Sequence, residues 1–227
     1  MALLSFSILF LLAATKVCSF SQETPKRTFP HSIFARDGTE SSSGEHGGYY
    51  YNFFSDGTGW VEYINGPSDG EYSVQWQDSG SWIGGKGWSQ GTSRVINYNA
   101  TFETSGNAFL TVYGTTTDPD LDYYILENYG SYNPSIGAVH KGSVETDDGT
   151  YDVYVTTRVG VPSVGGGRTI TRFWSVRTAK RSSGSVTVAN HFNAWASLGM
   201  NVGVLGYQIV ATEGYRSSGS SRVTTWE

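Results

Sequence analysis

Cysteine is almost missing from this chain: among 227 residues there is one, Cys18. A lone thiol builds neither a disulfide framework nor a cysteine-rich metal centre. The four histidines are scattered, so no zinc-ligand spacing arises, and P-loop, dinucleotide and Gly-x-Ser-x-Gly patterns are missing too. Nothing in the residues asks for a metal or a cofactor. Charge is also scarce: Asp, Glu, Lys and Arg make up 15% of the chain, with a net charge of -5. Such a surface gains nothing from counterion release, which argues against nucleic acid and anionic membranes as partners. The apolar run from Leu3 to Ala14 is too short to span a bilayer, which takes about 20 residues. Followed by the small residues around Val17-Cys18-Ser19, it reads as a secretory signal peptide over residues 1–19, although no basic residue precedes it. Residues 20–46 are polar and patternless, with Lys26-Arg27 and Arg36 as processing sites, and are expected to be a propeptide or disordered lead-in. The folded domain is then 47–227, in a protein that is secreted and extracellular.

What is abundant is glycine (29), tyrosine (15) and aromatic side chains overall (15%), a composition suited to strands and turns. From Gly47 onward, short runs of period-two alternation are separated by turn signals such as Ser55-Asp56-Gly57, Ser105-Gly106-Asn107 and Asp147-Asp148-Gly149. Roughly a dozen strands at this spacing make an all-β sandwich or barrel. One segment departs from the rhythm. Val188, Phe192, Trp195 and Ala196 fall at helical spacing and Gly199 supplies a stop, predicting a single helix over about Val188 to Leu198, packed on the outside of a sheet. Its His191 has no nucleophile motif nearby and is expected to be a structural, hydrogen-bonding histidine. Asn99-Ala100-Thr101 is a glycosylation sequon that a secretory route would make usable.

Two carboxylates carry the chemistry. Asp122 lies in Leu121-Asp122-Tyr123-Tyr124-Ile125-Leu126-Glu127, and Glu213 lies about ninety residues later in Ala211-Thr212-Glu213-Gly214-Tyr215. Two acids on strands, each flanked by tyrosines, suit hydrolysis of a glycosidic bond. Residues of equal parity share a strand face, so Asp120, Asp122 and Tyr124 point one way. Glu127, five positions on, faces away in an unbroken strand. In the second strand Tyr207, Ile209, Ala211, Glu213 and Tyr215 share a face.

These two segments, together with Trp82-Ile83-Gly84-Gly85-Lys86-Gly87-Trp88, Arg172-Phe173-Trp174-Ser175-Val176-Arg177 and Arg181-Ser182-Ser183-Gly184-Ser185, closely resemble the xylanases of glycoside hydrolase family 11, from about Gly48 to Glu227. The resemblance implies a β-jelly roll of two twisted antiparallel sheets around a cleft for xylan or xylo-oligosaccharide, in a monomeric endo-β-1,4-xylanase. It implies a retaining double displacement, with Glu213 as acid/base and Asp122 at the nucleophile position. Tyr113, Tyr124 and Tyr207 match cleft tyrosines, and Arg158 and the Pro162 backbone match groups that hold the sugar. Arg158 to Gly165 matches the thumb loop, with a glycine-rich continuation at Gly165-Gly166-Gly167.

The departures from the family pattern cluster in the cleft. Asp122 replaces glutamate, Asp120 an apolar residue, Thr115 and Phe54 tryptophans, Ser81 an Asn or Asp, and Arg172 a glutamine. Phe54 should still stack on a sugar, and Arg172 is expected to pair with Asp120 and Asp122. An active though slow xylanase is the leading expectation. Its alternatives are a catalytically impaired xylanase-like protein that binds or recognises glycan, and a glycosidase with a shifted substrate.

Overall fold

A computed structural model describes residues 38–161 and 168–227. In chain order the first strands are β1 (Ser42–His46), β2 (Tyr49–Ser55), β3 (Trp60–Asn65), β4 (Glu71–Gln77), β5 (Ser81–Trp88), β6 (Val95–Thr104) and β7 (Asn107–Thr117). There follow β8 (Leu121–Tyr129), β9 (Val139–Thr146), β10 (Gly149–Val161), β11 (Arg168–Arg177) and β12 (Ser183–Thr187). Helix α1 (Val188–Ser197) precedes β13 (Val204–Tyr215) and β14 (Gly219–Trp226). The strands form a nine-stranded sheet, β1-β2-β5-β13-β7-β8-β11-β10-β9, and a five-stranded sheet, β12-β6-β14-β4-β3. This is the two-sheet, one-helix jelly-roll architecture that the sequence implies.

One neighbouring pair departs from the antiparallel expectation: β8 and β11 run parallel. A parallel pair needs a long crossover, and the chain between these strands supplies it by forming the β9–β10 hairpin at the far edge of the same sheet. The hairpin turns at Asp147 and Asp148, whose φ values of 52° and 57° are those of a type I′ turn, as their position before Gly149 leads one to expect.

The lead-in assignment needs correction. Residues 42–46, read from sequence as part of a propeptide, are strand β1, paired with β2 from Ser42↔Phe53 to His46↔Tyr49. Thr39 also joins the fold, its backbone N–H donating to Val61 O at 2.8 Å. The strand escapes sequence reading because both its faces are largely exposed, which leaves no apolar alternation. Its hold is polar: the Nζ of buried Lys86 lies 2.9 Å from His46 Nδ1 and donates to Asp69 O at 2.8 Å. The signal peptide and the first part of the lead-in lie outside the described residues.

The main core lies between the sheets. Phe53 and Tyr72 stack on either side of Tyr63, at centroid distances of 5.1 and 5.5 Å, while Trp76 meets Trp82 at 4.9 Å. Helix α1 extends this core over the large sheet rather than sitting apart from it. Phe192 and Trp195 meet Tyr123 edge-on, Trp195 also meets Phe173, and its indole donates to Ser175 Oγ at 3.0 Å. His191 differs from expectation: it is fully buried, and neither ring nitrogen has a hydrogen-bond partner among the described residues. Packing holds it instead, edge-on against Tyr151 at 4.7 Å, with Nε2 3.9 Å from Asp147 Oδ2.

The opposite face of the large sheet carries a second cluster, including Phe109, Tyr113, Tyr124, Trp174 and Ile209. With both faces covered, β7 is buried at nearly every position. Glu127 marks the boundary between the faces. The β7–β8 pairing steps from Thr111↔Leu126 to Leu110↔Asn128, so Glu127 is the extra residue of a bulge. It points into the core face, away from Asp122, where it accepts from Tyr98 Oη at 2.7 Å and Tyr151 Oη at 2.5 Å and pairs with Arg181. Removing one partner of a buried ion pair is destabilising. Glu127→Gln should therefore lower the unfolding free energy by about 3 kcal/mol in urea titrations.

Burial pushes the pKa of His191 down to about 4, against an opposing attraction from Asp147. Unfolded histidine titrates near 6.5, so between about pH 6.5 and 4 the unfolded chain binds a proton that the folded one does not. Stability therefore falls as pH drops through this window. Between pH 7 and pH 4.5 the wild type should lose about 2–3 kcal/mol more than His191→Phe, measured by urea unfolding at both pH values.

Candidate active site

Strand register assembles the site on the second, aromatic face of the large sheet. Across the ladder one row runs Thr115↔Asp122↔Arg172, and the next same-face row runs Tyr113↔Tyr124↔Trp174. Directly paired residues project from the same face. The parallel β8–β11 register thus sets Arg172 beside Asp122, and sets Trp174 under Tyr124, where the rings stack at 4.1 Å with 16° between their planes. On the other side of β7, strand β13 places Glu213 opposite Phe109 and Ile209 opposite Tyr113. A bulge between Leu205 and Gln208 precedes this run, and Tyr207, two residues before Ile209, lies on the same face, 5.8 Å from Tyr113 and 5.5 Å from Tyr50. Phe54 pairs with Ile83, which pairs with Glu213, so Phe54 stands at the rim of this face, 52% exposed.

Both oxygens of Asp122 are engaged. Tyr113 Oη donates to Oδ1 at 3.2 Å and Arg172 Nε donates to Oδ2 at 3.3 Å. The pair is partly shielded, with side-chain exposures of 17% for Asp122 and 23% for Arg172. The guanidinium also lies 5.8 Å from the centre of the Tyr124 ring. Burial first, then the charge of Glu213, pushes the pKa of Tyr124 well above the usual tyrosine value. Tyr113 is pushed up in the same way, by burial and by Asp122, and Tyr207 is raised to about 12, chiefly by burial. All three phenols thus keep their protons at neutral pH and present them as donors. The two carboxylates lie on either side of β7, Asp122 held by Tyr113 and Glu213 acting by its charge on Tyr124, and the two tyrosine rings meet at 5.0 Å.

A floor of stacked rings beneath two carboxylates suits a neutral, polyhydroxylated ligand: the rings offer apolar faces for sugar C–H groups, and the acids offer proton transfer. Residues 46–224 match the family model described as glycosyl hydrolases family 11. The chain belongs to this family. It is 48% identical to endo-1,4-beta-xylanase 2 of Rhizopus oryzae over 222 residues, covering 98% of this chain and 99% of that protein. It is 50% identical to an ethylene-inducing xylanase of Penicillium digitatum, with the same coverage, and 46% identical to endo-1,4-beta-xylanase B of Phanerodontia chrysosporium, covering 98% of this chain and 76% of that one. The family 11 protein is accordingly a glycoside hydrolase.

Asp122, Glu213, Tyr113, Tyr124, Tyr207, Arg172 and Phe54 all share one face of the large sheet. Asp120 is exposed in the turn ahead of β8 rather than continuing that strand, so the observed partner of Arg172 is Asp122. Pro162 and the Gly165-Gly166-Gly167 tip lie outside the described residues, as does the side chain of Arg158, whose backbone belongs to β10. Members of the face missed by sequence reading include Trp174, Tyr50 and Phe109. Trp174 stood in a quoted motif, but its role depends on the parallel register with Tyr124, which no local pattern announces.

A hydrogen bond to a charged group contributes about 1.5–3 kcal/mol. Tyr113→Phe removes a hydrogen-bond donor from Asp122 and should lower kcat/KM for glycan hydrolysis about 10-fold, with the fold retained by circular dichroism.

Proposed function

We propose that this family 11 protein is a secreted endo-β-1,4-xylanase that hydrolyses xylan with retention of anomeric configuration, and that it is slow because its nucleophile is an aspartate. In this reading Glu213 protonates the glycosidic oxygen while an Asp122 oxygen attacks the anomeric carbon, breaking the C–O bond and forming a glycosyl ester. Glu213 then deprotonates a water that attacks the same carbon and releases Asp122. The observation that carries the reading is the pair of carboxylates on one aromatic face, Asp122 and Glu213 on either side of β7, in a chain about half identical to proteins named xylanases. Tyr207 and Phe54 serve as sugar platforms, with buried Trp174 supporting Tyr124 from the side, and Arg158 and Pro162 hold the sugar at the reaction centre.

The slowness has two sources. Asp122 is one methylene shorter than glutamate, withdrawing its oxygens by about 1 Å, a misplacement that costs on the order of 100-fold. Arg172 lowers the nucleophilicity of the carboxylate it bonds. Residues 1–19 act as the export signal, and the segment before β1 is removed or left as a lead-in. The protein works as a monomer on neutral glycan, and its net charge of -5 disfavours nucleic acid and anionic membranes.

The engagement of both Asp122 oxygens favours a second reading, a glycan-recognition protein without turnover. Reducing-sugar release from xylan separates the two. Asp122→Glu is expected to raise the rate by up to about 100-fold, Arg172→Gln to raise it less, and Glu213→Gln to abolish it. Xylan retention with no release by wild type or Asp122→Glu would establish the recognition reading instead. Proton NMR of the first product should show the β-anomer, and appearance of the α-anomer would refute retention.

A further inference from the structure

The outer face of the five-stranded sheet, on the side away from the large sheet, carries a feature that the cleft does not use. Asn99 and Thr101 both lie on β6 and are both exposed, whereas Ile96 and Tyr98 on the alternate face are buried in the core. Neither the Asn99 amide nor the Thr101 hydroxyl makes a hydrogen bond among the described residues. The strand neighbours of Asn99 are Ser183 on β12 and Thr224 on β14, so small side chains flank it on both sides. Two residues beyond Thr224, Trp226 pairs with Asn97 and is 44% exposed. It is the same-face diagonal neighbour of Asn99, a separation of about 7–8 Å in an antiparallel ladder. Val95, also 44% exposed, lies on this face two residues before Asn97. The sheet thus sets an apolar, ring-bearing platform beside an unengaged asparagine in the sequence Asn-Ala-Thr.

We propose that Asn99 carries an N-linked oligosaccharide whose first N-acetylglucosamine packs on the Trp226 ring. The inference rests on the secretory part of the function proposed above. In the transfer, Asn99 Nδ2 bonds to C1 of the reducing-end N-acetylglucosamine of a polyprenyl-diphosphate oligosaccharide. The C1–O bond to the diphosphate breaks, the polyprenyl diphosphate leaves, and the amide gives up one proton. An exposed indole supplies the apolar face that a pyranose covers with its C–H groups, and covering it removes apolar area from water. Asn133 shows the contrast. It precedes Pro134, which blocks the acceptor sequence, and its Nδ2 already donates to Tyr129 Oη at 3.1 Å.

The test is expression of the full chain in a glycosylating yeast or filamentous fungus, followed by intact-mass analysis of the protein from medium and from cells. The expected result is a mass raised by a whole number of hexose and N-acetylhexosamine units. The increment should be lost in Asn99→Gln and Thr101→Ala and removed by peptide-N-glycosidase F with Asn99 converted to aspartate. Hydrolytic activity should not change, because β6 belongs to the sheet away from the cleft. Unmodified Asn99 in the medium overturns the inference and leaves secretion intact. Unmodified protein found only inside cells overturns both. The packing has its own readout: endoglycosidase H leaves one N-acetylglucosamine on Asn99, and this form should melt about 2–4 °C above fully deglycosylated protein. That difference should vanish in Trp226→Ala. A difference that survives the substitution overturns the stacking.

Discussion

The parallel ladder between β8 and β11 is the constraint on which the rest of the site depends. Antiparallel neighbours are common in such a sheet and are easily joined by short turns, but this pair requires the chain to leave β8, build a hairpin at the sheet edge and return. What it delivers is register. Trp174 comes to lie under Tyr124 and Arg172 comes to lie beside Asp122, so one pairing sets both the floor of the cleft and the charge balance of its carboxylate. A slip of one residue in β11 would send Arg172 and Trp174 to the core face and bring Phe173 into the cleft.

The two faces of the large sheet treat acidic residues in opposite ways. Glu127 is enclosed among Tyr98, Tyr151 and Arg181 and serves the core, joining β8 to β6, β10 and the approach to β12. Asp122 and Glu213 are only partly buried, and Asp122 is held by Tyr113, a phenol whose own proton is retained by burial. The difference is one of available chemistry. A carboxylate saturated by buried donors is a structural anion, whereas one held by a tyrosine at the edge of an open face can exchange protons and bonds.

Much of this was legible in the residues. Period-two parity separated Asp122 from Glu127 correctly even though a bulge interrupts the strand, because the bulge falls at Glu127 itself and leaves Asp122 to Leu126 regular. The helix was legible because apolar spacing of three and four residues contrasts with strands on either side, and the Asp-Asp-Gly turn because it requires positive φ. What stayed hidden was non-local. Strand β1 has no buried face to create a pattern, Trp174 needs the β8–β11 register, and His191 is held by ring packing rather than by the polar partners that its residue type suggests.

Strand β1 has a further consequence. It forms one edge of the nine-stranded sheet and offers Ser, Gly, Glu and His to solvent, residues with little appetite for another strand. Behind it lies β2, Tyr-Tyr-Tyr-Asn-Phe-Phe-Ser, an uncharged aromatic run of high strand propensity. Cleavage before Ser42 keeps that run paired, whereas cleavage after His46 would bare its backbone donors and acceptors as a template for a second molecule. The polar segment that looks expendable in sequence is what keeps the edge of the sheet from becoming adhesive.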